Sequence, residues 1–219
     1  DAEGKVYICG YITDQSGERD LVVIKHDTSG AIVNNGVYTS MLPGNDAGTE
    51  ILCDNNFIYT MGYKDDNSSF TASTDMMMIS MNTDLAANSP VIPAIPDKSE
   101  VPLSFIFSEI AQLSFPPVLS KVAVVGLQES VENNYTNRNY IVVNFAGNTI
   151  LWKAGYGSSG TEEVGTGITT DINGNIVVTG YSYRAGNDFD FASLKFDKIT
   201  GDTIWSEPKF FDNQHCDDK

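Results

Sequence analysis

The residues able to do chemistry are crowded into a few loops. Acidic and amide side chains gather there as Asp14, Glu18, Arg19 and Asp20, then Asp65, Asp66 and Asp75. The same crowding recurs at Glu129, Glu132, Asn133 and Asn134, and at Asn187, Asp188 and Asp190. Such loops suit a hard cation like calcium, which takes roughly six to eight oxygen ligands. No D-x-[DN]-x-[DN]-G run with a Glu at the twelfth position occurs, and Asp171, Asn173 and Gly174 match only half of one. The loops therefore read as solvated turns, with calcium in one of them as the minor alternative and no other cofactor expected.

Other chemistries find less material. The two histidines, His26 and His215, and the three cysteines, Cys9, Cys53 and Cys216, form no C-x-x-C or zinc-ligand spacing. Cys9 and Cys53 read as small buried hydrophobes in strands. No G-x-S-x-G is present, and His26 holds a strand position whose repeat equivalents are Met81, Phe145 and Phe196. Glu162-Glu163 is the carboxylate pair that glycoside hydrolysis would use, at the start of an inner strand. No catalytic residue and no metal ligand is assigned, so the chain reads as a non-enzyme. Candidate ligand contacts are the tyrosines Tyr135, Tyr181 and Tyr183, whose rings could stack on sugars. Two sequons, Asn67-Ser68-Ser69 and Asn134-Tyr135-Thr136, are candidate glycosylation sites in a eukaryotic secretory protein only.

The chain that must position these residues has 219 residues, 13 basic against 29 acidic, and a net charge of −16. That acidity argues against nucleic acid and anionic membrane as partners. No run of 18 apolar residues is present, so no membrane-inserted helix is expected. The opening Asp1-Ala2-Glu3-Gly4 carries neither an initiator Met nor a signal segment. We expect either a removed leader or a piece of a longer chain.

The organisation is a repeat. Val6–Tyr11, Ile58–Tyr63, Val122–Leu127 and Ile176–Tyr181 are matching apolar runs, with Gly10, Gly62, Gly126 and Gly180 spaced by 52, 64 and 54 residues. A second run follows each one: Asp20–Asp27, Asp75–Asn82, Asn139–Ala146 and Asp190–Asp197. Third strands are expected at Thr149–Trp152 and Thr203–Trp205, and inner strands at Thr49–Asp54 and Val164–Asp171. Asp171–Asn175 reads as an Asn-Gly hairpin with positive φ at both central residues. Four strands per repeat at this period fit the blade of a β-propeller. The fold class is therefore all-β, a propeller segment of about four blades, single and continuous over residues 1–219.

The repeats span approximately 1–48, 49–107, 108–163 and 164–219, with a Pro-rich insertion at 88–117. Within it Leu103–Leu113 could be a short amphipathic helix or a strand, and the apolar stretch 102–117 either supplies strands or protrudes as a contact surface. Tyr7, Val23, Ile58, Met77, Val124, Val142, Val177 and Leu194 are expected to be buried between blades. Residues 1–5 match only the turn before a Gly-ended strand, so the first blade lacks an inner strand. The tail from Phe211 to Lys219 resembles a link to another inner strand. The ring is thus expected to be partial or open, with its missing contacts supplied by further blades of a longer chain or by a second subunit.

Asp171–Tyr181, followed by Asp190-Phe191-Ala192-Ser193-Leu194-Lys195-Phe196-Asp197, resembles the bacterial β-propeller repeat family first described as seven-bladed. Tyr156–Glu163 is similar to that family's link between blades, and the second repeat, with Met76, Met77 and Met78, departs most. The resemblance covers most of the chain apart from residues 85–118. It implies a fold and not a reaction: such repeats occur in large secreted or surface-exposed proteins, commonly without catalytic residues. A slighter likeness links Asp197–Trp205 to the tryptophan-docking motif of quinoprotein dehydrogenases and their non-catalytic propeller relatives, echoed at Gly147 and Trp152. The cysteine pair and metal cluster that a quinone cofactor would need are absent from the sequence.

The expectation that follows is an acidic, extracellular or cell-surface scaffold that binds protein within a larger assembly, as in adhesion. The alternative is a carbohydrate-binding or carbohydrate-active propeller, with glycan as the partner.

Overall fold

The computed structural model describes residues 1–38, 44–54, 56–66, 73–86, 99–109, 120–132, 135–147, 149–157, 161–184 and 188–211. Every regular element among them is a strand, and no helix there is long and apolar enough to cross a membrane. The described residues fall into two compact units, one from Asp1–Val101 and one from Pro102–Glu109 with Ser120–Lys219.

The first unit holds β1 (Val6–Thr13), β2 (Arg19–His26), β3 (Ile32–Tyr38), β4 (Gly44–Cys53), β5 (Phe57–Asp66) and β6 (Ser73–Asn82). Their order is β1-β2-β4-β5-β6 with β3 also on β2, and one parallel pair, Arg19↔Asn45, joins the two triplets. Both triplets are otherwise antiparallel meanders. β1 is an edge of its sheet. The core lies between the triplets: Tyr7, Leu21 and Val23 meet Ile58, Met77, Ile79 and Met81.

The sheet β10-β9-β8-β7 is formed by β7 (Ser99–Glu109), which belongs to the second unit from Pro102 onward, and by β8 (Lys121–Glu132), β9 (Tyr135–Ala146) and β10 (Thr149–Tyr156) of that unit. The second unit also carries β11-β12-β13-β14, from β11 (Glu163–Thr170), β12 (Ile176–Arg184), β13 (Asp188–Phe196) and β14 (Lys209–Phe211). Ala123, Val125, Tyr140 and Val142 pack on Ile176, Val178, Leu194 and Phe196. The stretch that could be read as a helix is strand through Glu109; Pro102 is accommodated because β7 lies at the end of its sheet. The remainder of the insertion lies outside the described residues, as does the tail beyond Phe211.

The recurring turn is an aspartate device. The Asp14 side chain accepts the backbone N–H groups of Ser16 and Glu18, Asp27 those of Ser29 and Ala31, and Asp171 those of Asn173 and Asn175. Gly174 completes the last of these with φ +80°, whereas Asn173 has no positive φ. The turn is thus not the two-residue Asn-Gly type. Closure runs from Asp171 N–H to the Asn175 carbonyl, a three-residue loop that needs one left-handed residue.

The repeat glycine has a different cause. At Gly62 and Gly180 a Cβ would strike the carbonyl oxygens of Ala47 and Val164 on the neighbouring inner strands, whose ladders slip between Gly48/Glu50 and Gly165/Gly167. Gly10 has open space there, consistent with its edge position.

Two further expectations fail. Thr203–Trp205 makes only an isolated bridge from Thr203 to Phe196, and the outer strand forms instead at Lys209–Phe211 against Phe191–Ser193. The chain bends through Ile204–Glu207, and Pro208, which has no N–H to give a ladder, precedes the strand that resumes. Val177 is only half-buried, whereas the other seven predicted core residues are buried. Its side chain belongs to the face of β12 opposite Ile176 and Val178, outside the core cluster of its unit.

Candidate binding surface

Alternation on β12 and β13 sorts their side chains into two sets. Ile176, Val178, Ala192, Leu194 and Phe196 fill the core, which leaves Val177, Tyr181, Tyr183, Phe189 and Phe191 on the other face. Tyr181 pairs with Phe191 and Tyr183 with Phe189. The Phe189 ring stands edge-on to both tyrosines, at 5.4 Å between centroids in each case. Phe191 pairs in turn with Phe211, and these two are 39% and 62% exposed. The result is an aromatic shelf across three strands. Edge-to-face contacts fix Tyr181, Phe189 and Tyr183 relative to one another, and Phe191 and Phe211 add exposed ring area beside them.

A charged border runs beside it. Arg138 of β9 donates from Nε to Glu129 at 2.9 Å and reaches Glu162 at 3.4 Å. The Tyr181 hydroxyl is bonded to Glu162; burial first and that carboxylate second raise its pKa. The main chain follows the same line, with the Tyr183 N–H donating to the Glu162 carbonyl at 2.8 Å. These ion pairs are half-exposed, so they orient groups more than they stabilise the fold.

Glu163 points the other way and is buried. It accepts hydrogen bonds from Thr161 Oγ1 at 2.9 Å and Ser182 Oγ at 3.4 Å. Glu162 and Glu163 are thus engaged on opposite sides of their strand. Asp188 and Asp190 lie buried on the Ser182 side of β13.

Tyr181 and Tyr183 are brought together; the Tyr135 side chain, Asn67 and Asn134 lie outside the described residues. Sequence reasoning missed Phe189, Phe191 and Phe211 as members of the surface. The signal was present for two of them, since Phe189 and Phe191 flank Asp190 on the parity opposite Leu194 and Phe196.

Elsewhere the polar groups are already committed. Asp171 takes two backbone N–H groups and pairs with Lys195 at 2.6 Å, so its half-match to a calcium loop is a hairpin turn. Among the described residues no three His, Cys, Asp or Glu side chains are grouped to share a metal ion. Cys9 and Cys53 are half-buried against the core of the first unit and not buried as expected, yet burial still pushes the Cys9 thiol up to about 11, which suits a packing residue and not a nucleophile. His26 is half-exposed, with Nδ1 3.0 Å from the Gly30 carbonyl. A cavity of about 340 Å³ in the second unit is lined by Ser108, Glu109, Lys121, Asn144 and Lys198 among others. Its polar groups bond mainly to one another, Lys121 to Glu109 at 2.8 Å and Ser108 to Asn144 at 2.9 Å.

No protein-family model and no curated protein sequence matches the chain. The chemistry of the surface is therefore the basis for a functional reading. It offers aromatic area and a carboxylate–guanidinium border.

Proposed function

We propose that the chain is a non-catalytic, propeller-type scaffold of the extracellular space or cell surface, binding protein through the β12–β14 face within a larger assembly. The observation that carries this reading is the aromatic shelf, five apolar rings on one sheet face whose opposite face is filled by core. Contiguous apolar surface of this kind marks interaction sites, and Tyr and Phe dominate their energetics. Sequential antiparallel meanders stacked face to face support the propeller element, and the likeness to bacterial surface repeats supports the location. A second reading, a lectin-like site, is favoured by Tyr181 and Tyr183 beside the polar Glu162–Arg138 pair.

Protein and glycan arrays probed with the labelled chain and with a Tyr181→Ala/Tyr183→Ala variant separate the two. Protein hits that the variant loses are expected. Sugar hits lost in the same way establish the lectin reading, and equal binding by parent and variant contradicts both.

A further inference from the structure

Both units pack their sheets by one rule, written relative to the repeat glycine. In the first unit the residues three and one before Gly10, Tyr7 and Cys9, face the residue four before Gly62, Ile58. In the second unit the same offsets before Gly126, Ala123 and Val125, face those four and two before Gly180, Ile176 and Val178. Each repeat thus has a trailing face and a leading face, and trailing packs on leading.

Four faces lack this partner within their units, and two of them are exposed among the described residues. The leading face of β1–β3 carries Val6 at 54% exposure, Ile8 at 46%, Ile12 at 42% and Val37 at 47%. His26 is half-exposed there, whereas its equivalents Met81 and Phe196 are buried. The trailing face of β12–β14 carries half-buried Val177 and the aromatic shelf. One chain therefore exposes both halves of the contact found within each unit.

We propose that the occupant of the β12–β14 face is a second copy of this chain, docked by its β1–β3 face. The assembly is head to tail, and this inference rests on the reading of that face as a protein-docking surface. Val6 and Ile8 take the places against Val177 and Thr179 that Ile176 and Val178 take against Ala123 and Val125, and Phe191 holds the place of Tyr140. The interface is heterologous, so copies add in one sense until a ring closes or a filament grows. The net charge of −16 opposes association, and added salt strengthens it.

Sedimentation velocity of the 219-residue chain between about 1 and 100 µM tests this against Ile8→Asp and Phe191→Asp. The parent is expected to associate, and each variant alone to weaken association by at least about thirtyfold. An equimolar mixture of the two variants retains one intact leading face and one intact trailing face. It is expected to yield a two-chain complex that neither variant forms alone. Should either variant lose the parent's circular dichroism spectrum, Val6→Lys and Phe211→Lys, at more exposed positions, replace it in the same mixture. A parent that stays monomeric throughout, or folded variants whose mixture does not pair, overturns the proposal. A monomeric parent that still gives tyrosine-dependent protein hits on the arrays leaves the docking-surface reading standing, so the two failures are distinct.

Discussion

The indole N–H of Trp152 donates to the carbonyl of Lys198 across 3.1 Å, tying β10 to the turn that follows β13. The ring lies on Gly201, where a Cβ would come within 2.6 Å of Cδ2, and stacks at 29° on Phe196. Gly201 is doubly required, because its φ of +75° is also left-handed. This latch holds the two sheets of the second unit in register behind the aromatic face.

Trp152→Phe keeps most of the ring and removes the donor, leaving the Lys198 carbonyl with the longer bond from Asn144 Nδ2 at 3.4 Å. We expect a loss of about 1 kcal/mol by urea unfolding, against roughly 3–5 kcal/mol for Trp152→Ala. Equal losses would show that the hydrogen bond, and not the packing, dominates the latch.

The two faces of β12 predict opposite responses to charge. Val178 is fully buried, so Val178→Asp should cost roughly 3–5 kcal/mol through an uncompensated carboxylate. Val177 is half-buried on the open face, and Val177→Asp in the isolated chain should cost under about 1 kcal/mol. Thermal melts that reverse this order would refute the register of β12.

Leu85 takes the left-handed turn position that glycine holds elsewhere, with φ 63°, and its side chain is buried against Gly36. Leu85→Gly relieves about 1 kcal/mol of backbone strain and forfeits roughly 2–4 kcal/mol of burial and packing. A net loss of about 1–3 kcal/mol is expected in chemical denaturation. A stabilised variant would mean that strain outweighs packing there.

Much of this architecture was legible because local chemistry repeats. The apolar runs ending in Gly10, Gly62, Gly126 and Gly180 are strands, since β-branched and aromatic residues suit a pleated layer and the aspartate turns reverse the chain. The Asn-Gly at residues 173–174 misled because the preceding aspartate, and not the dipeptide, sets the loop length. Val177 misled for a different reason. Its equivalent Ala123 has the same parity, but only tertiary structure shows which repeat has a neighbour on that side. The strand expected at Trp205 failed through its own context, a bend before Pro208 with the indole beside the Lys195 ammonium. The surface was half legible: the tyrosines stood out by type, while Phe211 needed the displaced β14 to join them.

Acid should weaken the fold through its turns. Hydrogen bonds from Lys195, Asn175 and Asn173 hold the Asp171 carboxyl well below the usual carboxylate range, and donors from Ser16 and Ser29 lower Asp14 and Asp27. A depressed folded-state pKa contributes stability that is present above the unfolded value near pH 4 and lost as pH falls through the folded value. Melting temperature should therefore fall between about pH 4 and pH 2, and more gently in Asp171→Asn, which starts from lower stability at neutral pH. Identical slopes in the two proteins would contradict the assignment.

The central claim, that the β12–β14 face docks protein, is tested most directly by photo-crosslinking in place. Benzoylphenylalanine replaces Phe191 in the full-length protein, and intact producing cells are irradiated before the adducts are sequenced by mass spectrometry. The account predicts a defined protein adduct from position 191, and none when the same probe replaces Ile199, which is 75% exposed in the β13–β14 turn. Equal labelling from both positions, or no protein adduct from position 191, would contradict it.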